Sequence, residues 1–228
     1  MNLYRNNLTI GDIPQLDVVV PSFFPRDGLV AYYKLDGNSN DSVGSNNGTP
    51  YNISYVDGKY NKAVSCNGSS SYITFGNLGI TGSNARSFSA WFKLGATSMS
   101  AWTSMIGWVG ASTNSTYFDI EIGASNNLVL HFYGTEIAID TLSNLGTSSF
   151  YNIIATYDGT TAKVYLNNVL KSSVNISLAT NSNFNIGRRA STGNYFNGLI
   201  DEVAVYSKEL SSDERNKIYN GGAGSFYN

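Results

Sequence analysis

The feature that most constrains this chain is a series of short segments, from Gly28 onward, in which apolar and polar residues alternate. An alternation with a period of two residues is typical of β-strands with one buried face. The segments end at Gly, Asn, Asp or Ser, which favour tight turns. The predicted strands are Val30–Leu35, Lys62–Cys66, Tyr72–Phe75, Ser87–Leu94, Ser104–Val109, Tyr117–Ile122, Leu128–Tyr133, Glu136–Thr141, Tyr151–Tyr157, Ala162–Leu166, Val169–Asn175, Asn183–Gly187 and Phe196–Tyr206.

Turn and cap residues refine this pattern. Asn167 and Asn168 separate two strands by two residues, and Asn tolerates the positive φ of a type I′ hairpin turn. One helix is predicted near the end, with Ser211 and Glu214 as a capping box and Gly221 as the C-cap. Many strands followed by one short C-terminal helix predict an all-β fold of two packed antiparallel sheets.

Composition excludes several classes of partner and setting. Only 13% of residues are charged, the net charge is −2, and no run of Lys or Arg provides a nucleic-acid surface. The apolar runs are too short for a membrane-spanning helix. Cys66 is the only cysteine, lies in an alternating strand and is predicted to be a buried apolar residue. Residues 1–10 lack the basic start and apolar stretch of a secretory signal.

Residues 1–27 differ from the rest of the chain. They contain Pro14, Pro21 and Pro25, three of its four prolines. Proline fixes φ and removes a hydrogen-bond donor, so this segment is predicted to be an extended arm. The arm either packs on its own domain or docks on a neighbouring subunit.

A polar sheet face is the main candidate for ligand binding. The apolar faces of Tyr117–Ile122 and Leu128–Tyr133 match in a hairpin that places Asp119 beside His131. Aromatic rings and carboxylates together can hold a sugar, while the alternative is a solvated face with Asp119 and His131 as a surface pair. The predicted polar face carries Tyr117, Asp119, Glu121, His131 and Tyr133, with Glu136 and Asp140 from the next strand.

Three further aromatic residues are candidate ligand platforms. Trp102 and Trp108 fall in residues 101–110, and Tyr195 falls in residues 190–197, where loops or sheet edges are expected. Exposed tryptophan is common at binding sites. The alternative for each is a place in the core.

Four stretches carry a resemblance to a known family: Gly28–Asn38, Ser87–Lys93, Ile154–Asn168 and Gly198–Ser211. In their order along the chain and in their residues, they resemble the laminin G-like jelly roll, a branch of the concanavalin A-like lectin/glucanase superfamily. The resemblance implies a jelly-roll sandwich over residues 28–228. It is much less specific for function, because this fold hosts lectins, adhesion modules and hydrolases.

The resemblance also implies a structural calcium ion. In the family the ion often lies between the opening turn, here Asp36, Asn38 and Asp41, and an Asp of the closing strand, here Asp201. Calcium takes six to eight oxygen ligands. The alternative is a turn whose side chains cap their own backbone.

The same resemblance bears on catalysis. Laminarinase-like relatives use a strand that reads Glu-x-Asp-x-x-Glu, with carboxylates as nucleophile and general acid. Here the strand offers Asp119 and Glu121 but has Gly123 near the place of the third carboxylate. The chain is therefore predicted to be no enzyme.

The expected function is a non-catalytic binding or structural module. The absence of a secretory signal, the single cysteine and the arm favour a phage-type virion surface protein, as capsid decoration or a tail or fibre component. Its partners would be a glycan or neighbouring virion subunits, met on a virion or an extracellular surface. The alternatives are a carbohydrate-binding module of a secreted bacterial protein and, less favoured, a glycoside hydrolase.

Overall fold

The computed structural model describes residues 24–189 and 193–227. Within these ranges the chain forms two antiparallel sheets, one of eight strands and one of seven. The strands, numbered in chain order, are β1 Leu29–Tyr33, β2 Thr49–Tyr51, β3 Ser54–Asp57, β4 Lys62–Asn67, β5 Tyr72–Thr74, β6 Arg86–Leu94, β7 Thr103–Trp108, β8 Phe118–Ile122, β9 Asn127–His131, β10 Glu136–Thr141, β11 Tyr151–Tyr157, β12 Thr161–Leu166, β13 Val169–Asn175, β14 Phe184–Ile186 and β15 Asn197–Tyr206.

The sheets have a jelly-roll arrangement. The larger has the order β13-β12-β11-β6-β15-β4-β3, with β1 also paired to β15, and the smaller has the order β10-β9-β8-β7-β14-β5-β2. Side chains such as Phe88 and Phe92 of the larger sheet meet Ile120 and Leu130 of the smaller in one buried core. The predicted two-sheet all-β sandwich is confirmed.

Two α-helices accompany the sheets in the described part of the chain. Helix α2, Ser212–Tyr219, has the predicted capping box between Ser211 and Glu214. It ends at Asn220, whose φ is 45°, one residue before the predicted C-cap Gly221. Helix α1, Leu142–Leu145, is a single turn that was not predicted. Its brevity explains why, because one turn leaves no helical period in the sequence.

Local turn chemistry follows the prediction. Asn167 and Asn168 have φ values of 49° and 61°, as a two-residue type I′ hairpin turn requires. They join β12 to β13.

Cys66 is buried, as predicted, and forms no disulfide. Burial raises the pKa of its thiol to about 12.

The margins of the two sheets are tied together. On one side, Lys171 Nζ of β13 lies 3.1 Å from Asp140 Oδ2 of β10, and the Ser172 hydroxyl donates to the carbonyl of Ala138. On the other side, β2 and β3 belong to different sheets and are separated by two residues. The two sheets are therefore connected to each other along both margins of the sandwich.

The end of the predicted arm packs on its own domain. Phe24 is buried, with its ring centroid 5.0 Å from that of Tyr32, and the Tyr206 hydroxyl donates to the carbonyl of Pro25. Residues 1–23, with Pro14 and Pro21, lie outside the described residues. No helix among the described residues is long and apolar enough to cross a membrane.

Candidate functional site

The hairpin of β8 and β9 has the register predicted from its apolar faces. Asp119 pairs with His131, and Ile120 pairs with Leu130. Ile120 and Leu130 point into the core, so Asp119 and His131 lie on the face turned away from it. The ring centroids of Tyr117 and Tyr133 are 5.4 Å apart on this same face.

This outer face is buried, so the alternative of a surface pair is wrong. Asp119 and Glu121 have 0% exposure and His131 has 4%. Part of the cover comes from distant residues between β14 and β15, among them Arg189 and Asn194. There the Asn194 amide donates to the carbonyls of Ala101 and Trp102, which ties this segment to the loop before β7.

Arg189 is the central residue of this cover, and sequence reasoning missed it. Its guanidinium carbon lies 5.2 Å from the ring centroid of Tyr117, 5.9 Å from Trp102 and 6.0 Å from Tyr133. One guanidinium nitrogen, Nη1, lies 3.8 Å from Glu121 Oε1. A signal was available, because Arg188-Arg189 is the only adjacent pair of basic residues in the sequence.

Beneath Arg189 lies a cluster of polar atoms. His131 Nδ1 is 3.6 Å from Asp119 Oδ1 and 3.5 Å from Glu121 Oε2. Among the described residues, no hydrogen bond reaches these carboxylate oxygens, His131 Nδ1 or the hydroxyl of Ser104. Burial, reinforced by the Asp119 carboxylate and opposed by Arg189, raises the pKa of Glu121 to about 9.

A crevice opens above this cluster. One cavity of about 400 Å³ is lined by Trp102, His131, Tyr133, Gly134 and Arg189. An adjoining cavity of about 280 Å³ shares Trp102 and His131 and extends towards Glu136. We call these two cavities together the crevice. Its size suits a small ligand or part of a larger one.

The two aromatic residues of the crevice have strained backbones. Trp102 has a φ of 64° and Tyr133 a φ of 60°. A side chain with a Cβ atom costs about 1–2 kcal/mol in this left-handed region, and bulky residues are rare there. Such strain collects at functional sites, where the surrounding fold enforces it. Trp102 is also 40% exposed, unlike the tryptophans of the core.

The other predicted platforms lie elsewhere. Trp108 has 0% exposure and packs in the core against Phe184, so its assignment as a ligand platform is wrong. It faces inward because it pairs with Phe118, another core residue. Tyr195 lies apart from the crevice, near Tyr72 at 6.2 Å between ring centroids.

Asp140 also departs from its predicted face. The pairing of β10 with β9 shifts between Ala138 and Asp140, and the shift brings Asp140 opposite the core residue Leu128. A one-residue shift moves a side chain to the other face of a sheet. Asp140 therefore contacts Lys171 of the other sheet, whereas Glu136, opposite His131, lines the crevice.

A second surface depression lies beside α2. Its lining includes Lys163, Glu209, Lys208 and Glu214. These side chains already form ion pairs, with Lys163 Nζ 2.9 Å from Glu209 and Lys208 Nζ 2.8 Å from Glu214. Paired surface charges of this kind make it a weaker candidate than the crevice.

The opening turn holds Asp41 by hydrogen bonds of its own chain. The Asp41 carboxylate accepts from the backbone N–H groups of Tyr32, Val43 and Asn46 and from the Asn46 amide. The Asn38 side chain likewise accepts from the backbone of Asn40. These bonds are those expected of a turn that caps itself.

Asp36 and Asp201 form a separate acidic group. Asp36 accepts from the backbone of Lys62, and Asp201 accepts from the backbone of Tyr60. Burial, with a contribution from Asp36, raises the pKa of Asp201 to about 7, and burial likewise raises that of neighbouring Glu202 to about 8. Calcium binding by Asp36, Asn38, Asp41 and Asp201 stays a prediction.

Comparison with known families agrees with this architecture. The family model described as the concanavalin A-like lectin/glucanases superfamily matches residues 67–214, more than half of the chain. The protein therefore belongs to this superfamily, as its resemblance indicated. A comparison with curated proteins finds no match.

Solved structures share the fold at low sequence identity. Domain 4 of AbnA, a GH43 extracellular arabinanase from Geobacillus stearothermophilus solved with arabinotriose, has a TM-score of 0.67 at 23% identity, over 86% of this chain and 98% of that one. The binding domain of botulinum neurotoxin serotype D has a TM-score of 0.66 at 19% identity, over 86% and 51%. A Trypanosoma rangeli sialidase has a TM-score of 0.70 at 14% identity, over 89% and 34%. The chain thus spans about half of the toxin domain and a third of the sialidase.

Proposed function

We propose that this protein is a non-catalytic carbohydrate-binding module and that the crevice holds its ligand. The superfamily includes many lectins, and the similar arabinanase domain was solved with a bound oligosaccharide. The observation that carries the proposal is the pair of strained aromatic residues, Trp102 and Tyr133, beside one cavity.

The crevice has the chemistry that sugar recognition needs. The flat face of an indole or phenol ring packs against the apolar face of a pyranose or furanose ring. Glu136 and His131 at the crevice offer hydrogen-bonding groups for sugar hydroxyls. Retaining Trp102 and Tyr133 in costly backbone conformations is explained if ligand binding depends on the placement of their rings.

The proposal favours binding over hydrolysis. A retaining glycosidase needs two carboxyl groups that flank the scissile bond, about 5–5.5 Å apart. Asp119 and Glu121 are the carboxylates of the matching strand, yet both have 0% exposure and neither lines the crevice. A substrate in the crevice would therefore not touch them.

The experiment is a glycan array followed by calorimetry on each glycan that binds, with arabinotriose as an additional probe. Trp102→Ala is expected to weaken binding about tenfold, the equivalent of about 1.4 kcal/mol. The matched control is Tyr60→Ala, because Tyr60 is 43% exposed and lies beside Phe226, away from the crevice. Equal affinity of the wild type and Trp102→Ala for every bound glycan would refute the proposed site.

Hydrolysis is tested on the same glycans. The expected result is that no reducing ends are released by the wild type. Release of reducing ends that is abolished by Glu121→Gln, with the fold retained, would establish the hydrolase alternative instead.

The virion setting and assembly through residues 1–27 stay a prediction. Phe24 and Pro25 pack on their own domain, while residues 1–23 lie outside the described part of the chain.

A further inference from the structure

We propose that Asp119, Glu121 and His131 bind a divalent transition-metal ion, best matched by zinc, beneath the crevice. The three residues come from the adjacent strands β8 and β9, so the sheet itself fixes their spacing. One ligand atom from each lies within 4.8 Å of the other two. The proposal does not rest on carbohydrate binding, because its readout is the metal itself.

The two distances from His131 fit a coordination polyhedron better than a hydrogen-bonded cluster. His131 Nδ1 lies 3.6 Å from Asp119 Oδ1 and 3.5 Å from Glu121 Oε2. A charge-assisted hydrogen bond between such groups would be about 2.7–2.9 Å long. Zinc bonds of about 2.0–2.2 Å in a tetrahedron place neighbouring ligand atoms about 3.3–3.6 Å apart.

A second observation points to a ligand at this place. Ser104 lies directly opposite Glu121 in the pairing of β7 with β8, so its side chain projects from the same face. Its hydroxyl is buried and, among the described residues, has no hydrogen-bond partner. Buried polar atoms almost always have a hydrogen-bond partner. Within the described part of the chain, the Ser104 hydroxyl lacks one, as do His131 Nδ1 and the carboxylate oxygens of Asp119 and Glu121. A single bound ion could interact with all of them.

The donor set favours one class of metal. Calcium and magnesium prefer oxygen ligands alone, whereas an imidazole nitrogen with carboxylates suits zinc and similar ions. This site therefore differs in chemistry from the predicted calcium site, whose candidate ligands, Asp36, Asn38, Asp41 and Asp201, offer only oxygen.

The surrounding charge also admits a cation. Glu121 presents Oε1 to Arg189 and Oε2 to His131, so its two contacts do not compete for one oxygen. Arg189 supplies one positive charge beside two carboxylates. A metal ion bound between the two carboxylates would compensate the negative charge that Arg189 alone does not, so both groups could be ionised despite their burial.

The test uses the full, tag-free chain after treatment with a chelator. Zinc is titrated by calorimetry, and the imidazole nitrogen signals of ¹⁵N-histidine-labelled protein are followed by NMR. His131 is the only histidine, so these signals need no assignment. We expect one zinc ion per chain, a large shift of the Nδ1 signal, and a parallel response to cobalt(II) with a tetrahedral visible spectrum.

Variants locate the ion. Asp119→Asn and His131→Gln are each expected to weaken zinc binding at least about tenfold, since even partners one step removed from a metal cost 10–100-fold. Asp140→Asn, a carboxylate of the same sheet on its other face, is the control and should bind as the wild type does.

Two results would overturn the proposal. One is the absence of saturable zinc and cobalt binding by the folded wild type. The other is zinc binding that leaves the His131 signals unchanged. Because both measurements use the wild type, they decide the matter even if a variant fails to fold.

Discussion

Arg189 Nη1 lies 3.8 Å from Glu121 Oε1, and the same guanidinium lies 5.2 Å from the ring centroid of Tyr117. One side chain thus compensates buried negative charge and covers the aromatic residues of the crevice. Arg189 lies between β14 and β15 in the chain and also lines the crevice, next to the polar cluster.

Substitution of Arg189 is therefore expected to destabilise the folded protein. Arg189→Met keeps much of the side-chain volume but leaves Asp119 and Glu121 without the adjacent guanidinium. We expect the free energy of unfolding to fall by about 3 kcal/mol, as when a buried ion pair loses one partner. Urea unfolding at about pH 9.5, above the raised pKa of Glu121, measures this change, because the Glu121 carboxyl is then ionised.

A double variant distinguishes charge from packing. If uncompensated charge is the cause, Arg189→Met combined with Glu121→Gln should recover a large part of the loss. A double variant no more stable than Arg189→Met alone would contradict this interpretation and assign the loss to packing on the rings.

Asp41 provides a test of the opening turn. Asp41→Asn replaces one of the two accepting carboxylate oxygens with an NH2 group, which cannot accept a hydrogen bond from donors such as the Asn46 backbone. We expect a loss of about 2 kcal/mol in unfolding free energy. The loss should be the same in calcium and in EDTA if the turn only caps itself.

A larger loss in calcium than in EDTA would instead identify Asp41 as a calcium ligand. Asp57→Asn serves as the control, because the Asp57 side chain is 94% exposed and pairs only with Lys62 at the surface. Surface pairs of this kind contribute about 0–1 kcal/mol.

The raised pKa values of Glu202 and Asp201 predict how the stability of the fold depends on pH. Burial raises the pKa of Glu202 to about 8 and that of Asp201 to about 7, above the values of about 4 expected in the unfolded chain. Between these limits the folded state binds more protons than the unfolded state, so stability decreases as the pH rises. Urea midpoints should therefore be lower at pH 8 than at pH 5.

Glu202→Gln should flatten part of this slope, because the amide cannot ionise and its oxygen can still accept from the Tyr32 hydroxyl that now donates to Glu202. The control is Glu209→Gln, at the surface beside Lys163. Stability that increases from pH 5 to pH 8, or an unchanged slope in Glu202→Gln, would disagree with the raised pKa values.

The two tryptophans of β7 and its preceding loop should separate stability from binding. Trp108→Ala removes a fully buried ring and is expected to cost about 3–5 kcal/mol in unfolding free energy. Trp102→Ala removes a partly exposed ring and should cost much less stability. Thermal unfolding combined with glycan binding measures both effects, and equal losses of stability would contradict the assigned positions.

The sequence predicts those features that depend on local pattern. The register of Asp119 with His131 follows from matching the apolar faces of two neighbouring strands, and the capping box at Ser211 follows from local side-chain bonds. The short strands β2 and β3 were not predicted, because they are largely exposed and carry little alternation of polarity.

Features that depend on distant residues cannot be predicted from local sequence pattern. The burial of Asp119 depends on a covering segment about 70 residues further along the chain, here represented by Arg189. The altered face of Asp140 depends on an irregular pairing that no periodicity reveals. Pattern identifies which residues share a strand face, whereas the rest of the fold decides whether that face meets water.

The tied margins of the sandwich have a consequence for solubility. Free strand edges invite another chain to add a strand, which is a common route to aggregation. Here Lys171 and Ser172 hold β13 against β10 at one margin. At the other margin β2 has only three residues, including Pro50, which lacks a backbone donor. A chain with few charged residues and many strands thus limits the backbone that it offers for intermolecular pairing.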